Sequence, residues 1–232
     1  YRICVYVPEF DLQFNHFLVK DDEPLLFHTG FKALFPQILE AVKTLIDPSQ
    51  LRWISFSHFE SDECGSLNQW LEASPSAQTI SGIVGVLVNL NDFATRQPRI
   101  MSVDEVLNTG KYRFRLYPTP HLPHGWDAAV LFEETNSTLL CSDLFHQIGK
   151  VKSLIDSEPV LIERVRNALS EYQKGPFMNY QPYTQDTKRI LKELSALKPK
   201  TLAIMHGSSF VGNCEQALLD LDSVMREIVV GS

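Results

Sequence analysis

Ser57-His58-Phe59-Glu60-Ser61-Asp62-Glu63-Cys64-Gly65 follows directly on the apolar run Leu51–Phe56 and sets one imidazole and three carboxylates within six residues. The run before it reads as a buried strand, so the loop begins where a rigid scaffold ends and side chains can be aimed. Acidic side chains crowded this closely repel and raise each other's pKa, a cost that a multivalent cation among them offsets. Taken alone, the loop reads equally well as a solvated acidic stretch capping the next helix, with Asp62 as N-cap.

Working outward, the 232 residues are 44% hydrophobic and 10% aromatic, a globular balance that excludes disordered, collagen-like and coiled-coil chains. One domain over residues 1–232 is expected, because no linker rich in Gly, Ser or charge divides the chain. With 21 basic against 28 acidic residues the net charge is -7, which argues against nucleic acid or an anionic membrane as partner. The longest apolar stretches, such as Ile83–Leu90, fall far short of the roughly 20 residues of a spanning helix. No leader pattern opens the chain, so a cytoplasmic location is expected. Cys4, Cys64, Cys141 and Cys214 are scattered without a CxxC pair, which fits a reducing compartment.

Strands are expected at Arg2–Val7, Gln13–Val19 and Pro24–Phe27, then a helix from Gly30 that Asp47-Pro48 stops. Leu67–Leu71 reads as part of a short helix, and Gly82–Leu90 as either helix or strand. Arg99–Val103, Tyr112–Tyr117, Ala128–Glu133 and Thr138–Cys141 read as strands of hairpins, with turn chemistry at Asn108-Thr109-Gly110 and Asn136-Ser137. Helices at Glu158–Tyr172, Thr184–Leu197 and Glu215–Ile228 surround a strand at Thr201–Ile204. Strands followed by helices, twice over, give an α+β class with two stacked sheets and helices outside.

Three further loops carry ligand types just past a strand. Pro118–Asp127 holds His121 and His124, Ser142-Asp143 follows Thr138–Cys141, and Met205-His206-Gly207 follows Thr201–Ile204. A single His after a strand is most often a hydrogen-bonded structural residue. Together, the order His58-x-Glu60-x-Asp62, His124, Asp143, His206 resembles the metal-binding signature of the metallo-β-lactamase fold. It is similar to the iron-binding branch of that fold, the flavodiiron proteins and the shorter oxygen-binding diiron proteins, in which a Glu takes the position of Glu60.

The resemblance implies a four-layer αββα fold with two mixed sheets. It implies two iron ions in an oxo- or hydroxo-bridged centre, one on His58, Glu60 and His124, the other on Asp62 and His206, with Asp143 bridging. Two positions depart from the pattern. Glu63 stands where flavodiiron proteins usually have a His, and as a carboxylate it can ligate the second iron. His28 stands in Phe27-His28-Thr29-Gly30, where the fold often has an Asp, and reads either as orienting a ligand or as a buried group bonded to backbone. His124 is favoured over His121, and His16 and His146 match no ligand position. Trp126, Phe177, Tyr180 and Tyr183 are candidates for the cavity above the irons, and Trp126, Phe145, Phe177 and Phe210 for an apolar wall around it.

No phosphate-cradling Gly-rich loop is visible, so no flavodoxin-like domain and no built-in electron donor are expected. The first functional reading is therefore an oxygen-binding or redox-sensing module that takes O2 or NO and reports to a signalling partner. The alternatives are an O2 or NO reductase served by an external electron donor, and a zinc-dependent hydrolase of the same fold, which Glu60 argues against. A homodimer is left open.

Overall fold

The computed structural model describes residues 1–231. The first sheet runs in chain order through β1 (Arg2–Val7), β2 (Leu12–Val19), β3 (Leu25–Phe27), β4 (Trp53–Ser55), β5 (Gln78–Ser81) and β6 (Arg99–Ile100). Its first three strands pair antiparallel and the rest parallel. The second sheet contains β7 (Leu107–Asn108), β8 (Arg113–Pro118), β9 (Ala129–Glu133), β10 (Thr138–Leu140), β11 (Leu154–Ile155), β12 (Thr201–Ala203) and β13 (Ser209–Val211). They lie in the order β11-β13-β12-β10-β9-β8-β7.

Side-chain alternation shows why the strands stack as they do, since successive residues face opposite sides of a strand. Leu25 and Phe27 point into a cluster shared with Phe114, Leu131 and Leu140 of the other sheet. Leu26, between them, points outward to Ile38, Val42 and Trp70. These outer residues come from α1 (Phe35–Lys43), α2 (Ser61–Cys64) and α3 (Leu67–Ala73) and their flanks. On the far side, Leu139 and Leu202 pack against α6 (Glu158–Tyr172), α7 (Thr187–Ala196) and α8 (Cys214–Met225). The result is four layers, αββα, the metallo-β-lactamase architecture, as the sequence pattern anticipates.

Several details differ from the sequence expectation. Gly82–Leu90 resolves as helix: α4 (Ile83–Gly85), a π-turn over Val86–Leu90 and α5 (Asn91–Phe93) run on from one another. Leu87 and Val88 are exposed there, which is why the run lacks a clean period. Arg99–Val103 contributes only two residues of strand, parallel to β5 in the first sheet rather than in a hairpin. The strands β5, β7, β11 and β13, at two to four residues each, are too short to carry a hydrophobic period. Among the described residues no helix is long and apolar enough to cross a membrane.

The sheets are laced together at one end. Asn15 of β2 donates its backbone N–H to Met205 O (2.9 Å) and its Nδ2 to Ile204 O and Gly207 O, both 2.8 Å. Ser57 O, past β4, accepts from Ala129 N at 2.8 Å. Trp70 supports the same end from outside, fully buried against Phe35 (ring centroids 5.3 Å apart) with Nε1 donating to Thr29 O at 3.3 Å. Truncating a buried aromatic of this size typically costs about 3–5 kcal/mol. Trp70→Ala is expected to lower stability by that order in urea unfolding, and to loosen the 58–63 loop that Thr29 holds.

Candidate metal centre

Each ligand candidate sits just past a strand. His58, Glu60, Asp62 and Glu63 follow β4, His124 follows β8, Asp143 follows β10 and His206 follows β12. Strand ends of both sheets therefore deliver them to one place. Two clusters result, His58, Glu60, His124 and Asp143 in one, and Asp62, Glu63 and His206 in the other.

In the first, both imidazoles converge on one oxygen, with Glu60 Oε2 lying 3.2 Å from His58 Nε2 and 2.6 Å from His124 Nε2. In the second, His206 Nε2 lies 3.3 Å from Asp62 Oδ2. Asp143 stands between them. Its Oδ2 is 3.6 Å from both His58 Nε2 and His124 Nε2, while its Oδ1 is 3.1 Å from His206 Nε2. The two oxygens of one carboxylate thus face two different clusters.

The residues fit metal ions on independent grounds. Glu63 is fully buried, yet neither of its carboxylate oxygens has a hydrogen-bond partner. Orphaned buried carboxylates are costly, and a cation is the group that relieves them. Atoms each about 2.1 Å from one ion at right angles stand about 3 Å apart, the scale of the nitrogen–oxygen separations here.

Electrostatics without a cation show the same tension. Burial pushes the Glu63 carboxyl well above its ordinary value, and Asp62 and Asp143 push it further. Hydrogen bonds from His124 and His58 pull Glu60 down to about 2. Burial alone lowers His206, but Asp143 and Asp62 outweigh it and hold the imidazole at about 10. Asp143 is itself raised by burial and, on balance, driven well below its usual range by His206, His58 and His124.

The ligand imidazoles are oriented from behind. His206 Nδ1 donates to Gln13 O at 3.1 Å, which leaves Nε2 free to face the cluster. His58 Nδ1 lies 3.0 Å from Ser57 Oγ and 3.4 Å from Ser142 Oγ. His28 reaches this pair through Nε2, 3.1 Å from Ser57 Oγ, so it orients a ligand at one remove. His28 and Ser142 both take positive φ, +66° and +56°, a conformation that non-glycine residues adopt sparingly.

A family described as "ODP family beta lactamase" matches residues 12–207 of this sequence. The chain belongs to this family. Among relatives, the Flavo-diiron protein FprA2 of Clostridium acetobutylicum is 24% identical over 86% of this chain and 50% of its own length. Rubredoxin-oxygen oxidoreductase of Megalodesulfovibrio gigas is 25% identical over 86% of this chain and 49% of its own. The chain spans about half the length of the curated relatives it matches. The metal-soaked Flv1 flavodiiron core of Synechocystis shares the fold with a TM-score of 0.81 at 16% identity, covering 97% of this chain and 58% of that one.

All seven residues expected as ligands are brought together in these two clusters. His121 is exposed and joins neither cluster. Asp62 is not the N-cap of α2; that position is Glu60, and Asp62 lies in the first turn. A cavity of about 530 Å³ opens beside the clusters, lined by Tyr180 and Phe177 as expected, but also by Phe14, Phe31, Tyr172 and His146. Tyr183 instead packs in the outer core and donates to Asp222. Phe145 and Phe210 are core, and Trp126 is 61% exposed, so these three do not line this cavity. Ser57, Ser142, Gln13 and Tyr172 escape a reading by ligand type because they act through hydroxyls and a backbone carbonyl.

Two outcomes follow. Asp143→Ala is expected to lose the metal of both clusters together in elemental analysis, and retention of one ion at full occupancy contradicts the shared carboxylate. The second outcome concerns pH. His206 is raised above its unfolded value of 6.5 to about 10, so its contribution is complete below 6.5 and is lost as pH rises through about 10. Metal-free protein is thus expected to melt at progressively lower temperature from pH 7 to pH 9.5. A metal-bound His206 carries no proton to lose, so the loaded protein is expected to show a flatter profile.

Proposed function

We propose that this chain carries a non-haem diiron centre that reacts with O2 or NO as an oxidoreductase, with electrons supplied by a separate donor. The observation that carries the reading is Asp143, whose two buried oxygens face separate clusters of ligand type. One iron is assigned to His58, Glu60 and His124, the other to Asp62, Glu63 and His206, with Asp143 shared. Three imidazoles and four carboxylates suit iron, whereas thiolate-rich sets lean to zinc or copper. Cys64, the nearest thiol in sequence, points elsewhere and donates to Glu60 O at 3.1 Å.

When bound, an iron pair supplies the one-electron steps that reduction of O2 or NO requires. The chain's own residues bind, orient and enclose. Gln13 O, Ser57 and Ser142 fix the rear nitrogens of His206 and His58. Phe14 stands edge-on to His206, with ring centroids 5.1 Å apart, and with Phe31 gives the cavity an apolar wall that limits water. The choice of an oxidoreductase over a sensor follows the relatives, one of which is named for oxygen and rubredoxin. A zinc hydrolase fits less well, because a carboxylate, Glu60, is what both His58 and His124 meet.

Protein produced with iron is expected to hold two irons per chain. The reduced protein, mixed with O2 in the presence of a flavoprotein or rubredoxin-type donor, is expected to consume O2 continuously. A coloured species that lasts minutes without turnover indicates a sensor instead, and preferential zinc uptake with hydrolase activity contradicts the proposal.

A further inference from the structure

The two halves of the centre are not chemically equal. With Asp143 counted on both sides, the His58 half offers two imidazoles and two carboxylates, while the His206 half offers one imidazole and three carboxylates. They also differ in exposure. The Glu60 side chain is 48% exposed and that of His124 18%, against 13% for Asp62, 0% for Glu63 and 2% for His206.

Glu63 makes the difference. Its main chain is pinned, since Thr29 donates to Glu63 O through its N–H at 2.7 Å and its hydroxyl at 3.3 Å. Both side-chain oxygens are buried without a partner. No second imidazole comes to even the count. His146 lies closest, its ring 4.6 Å from that of His206, but its Nε2 is engaged by the Tyr172 hydroxyl at 2.8 Å and its Nδ1 by that of Tyr180 at 3.3 Å. His16 turns its free edge toward Gly30, where a Cβ would meet it at 2.7 Å.

Imidazole nitrogen favours later first-row ions, and carboxylate oxygen suits harder ones such as Mn(II). Resting on the dinuclear reading above, we infer that the Asp62–Glu63–His206 position prefers Mn(II) while the His58–Glu60–His124 position prefers Fe(II), so that the chain is built to accept a mixed manganese–iron pair. Glu63 is the residue that sets this preference.

The test loads metal-free protein anaerobically with equimolar Fe(II) and Mn(II). Metals are then counted by mass spectrometry and placed by anomalous diffraction above and below each absorption edge. The expected result is one manganese and one iron per chain, with manganese on the Glu63 side. In Glu63→His the manganese at that position is expected to be lost to iron, and Glu63→Gln, which keeps the shape but removes the charge, is expected to shift the same way. Two irons in the unaltered chain, manganese spread evenly over both positions, or a manganese share unchanged in both variants overturns the inference while leaving the dinuclear reading intact. Uptake of neither ion overturns both.

Discussion

Four carboxylates, Glu60, Asp62, Glu63 and Asp143, are held against three imidazoles at a place where Glu63 and Asp143 are sealed from water. Their mutual repulsion is the constraint to which the surrounding structure answers. In a medium of low dielectric, like charges this close cannot all persist unless cations join them or protons neutralise them. Burial and its acidic neighbours push the Glu63 carboxyl up, and Asp143 and Asp62 raise the His206 imidazole to about 10, so protons are favoured there wherever a cation does not take their place. Metal binding replaces those protons, which ties the stability of this end of the fold to occupancy of the centre.

The αββα architecture makes such crowding tolerable. Each ligand leaves the end of a strand whose own residues are locked in the core, and cross-links such as Asn15 to Ile204 O and Gly207 O tie the two sheets at that end. Trp70, Ser66 and Thr29 brace the acidic loop from the helical side, Ser66 Oγ donating to Thr29 O at 2.7 Å. Precision is thus delivered by β4, β8, β10 and β12, whereas the cavity wall above is contributed by aromatic residues from β2 and from the end of α6.

How much of this is legible in the sequence follows from the range of each signal. The ligand types are legible because they cluster within a few residues of an apolar strand, as in His58 to Glu63, and because their order resembles a known centre. The layers are legible from strands then helices. Tyr172 and Phe14 are not, because an aromatic residue in a helix or strand carries no mark of which cavity it meets until the two sheets are stacked. Phe145 and Phe210 show the converse, apolar residues near ligand loops that packing turns into core. Gly82–Leu90 resists assignment because Leu87 and Val88 are exposed, which breaks the helical period.

The central claim is that one carboxylate, Asp143, is shared by two metal positions, each built from strand ends of both sheets. Anomalous diffraction from crystals of the iron-loaded chain tests it most directly. The account predicts two peaks per chain, one on each side of Asp143, the first among His58, Glu60 and His124 and the second among Asp62, Glu63 and His206. A single peak, or two peaks of which one does not touch Asp143, contradicts it.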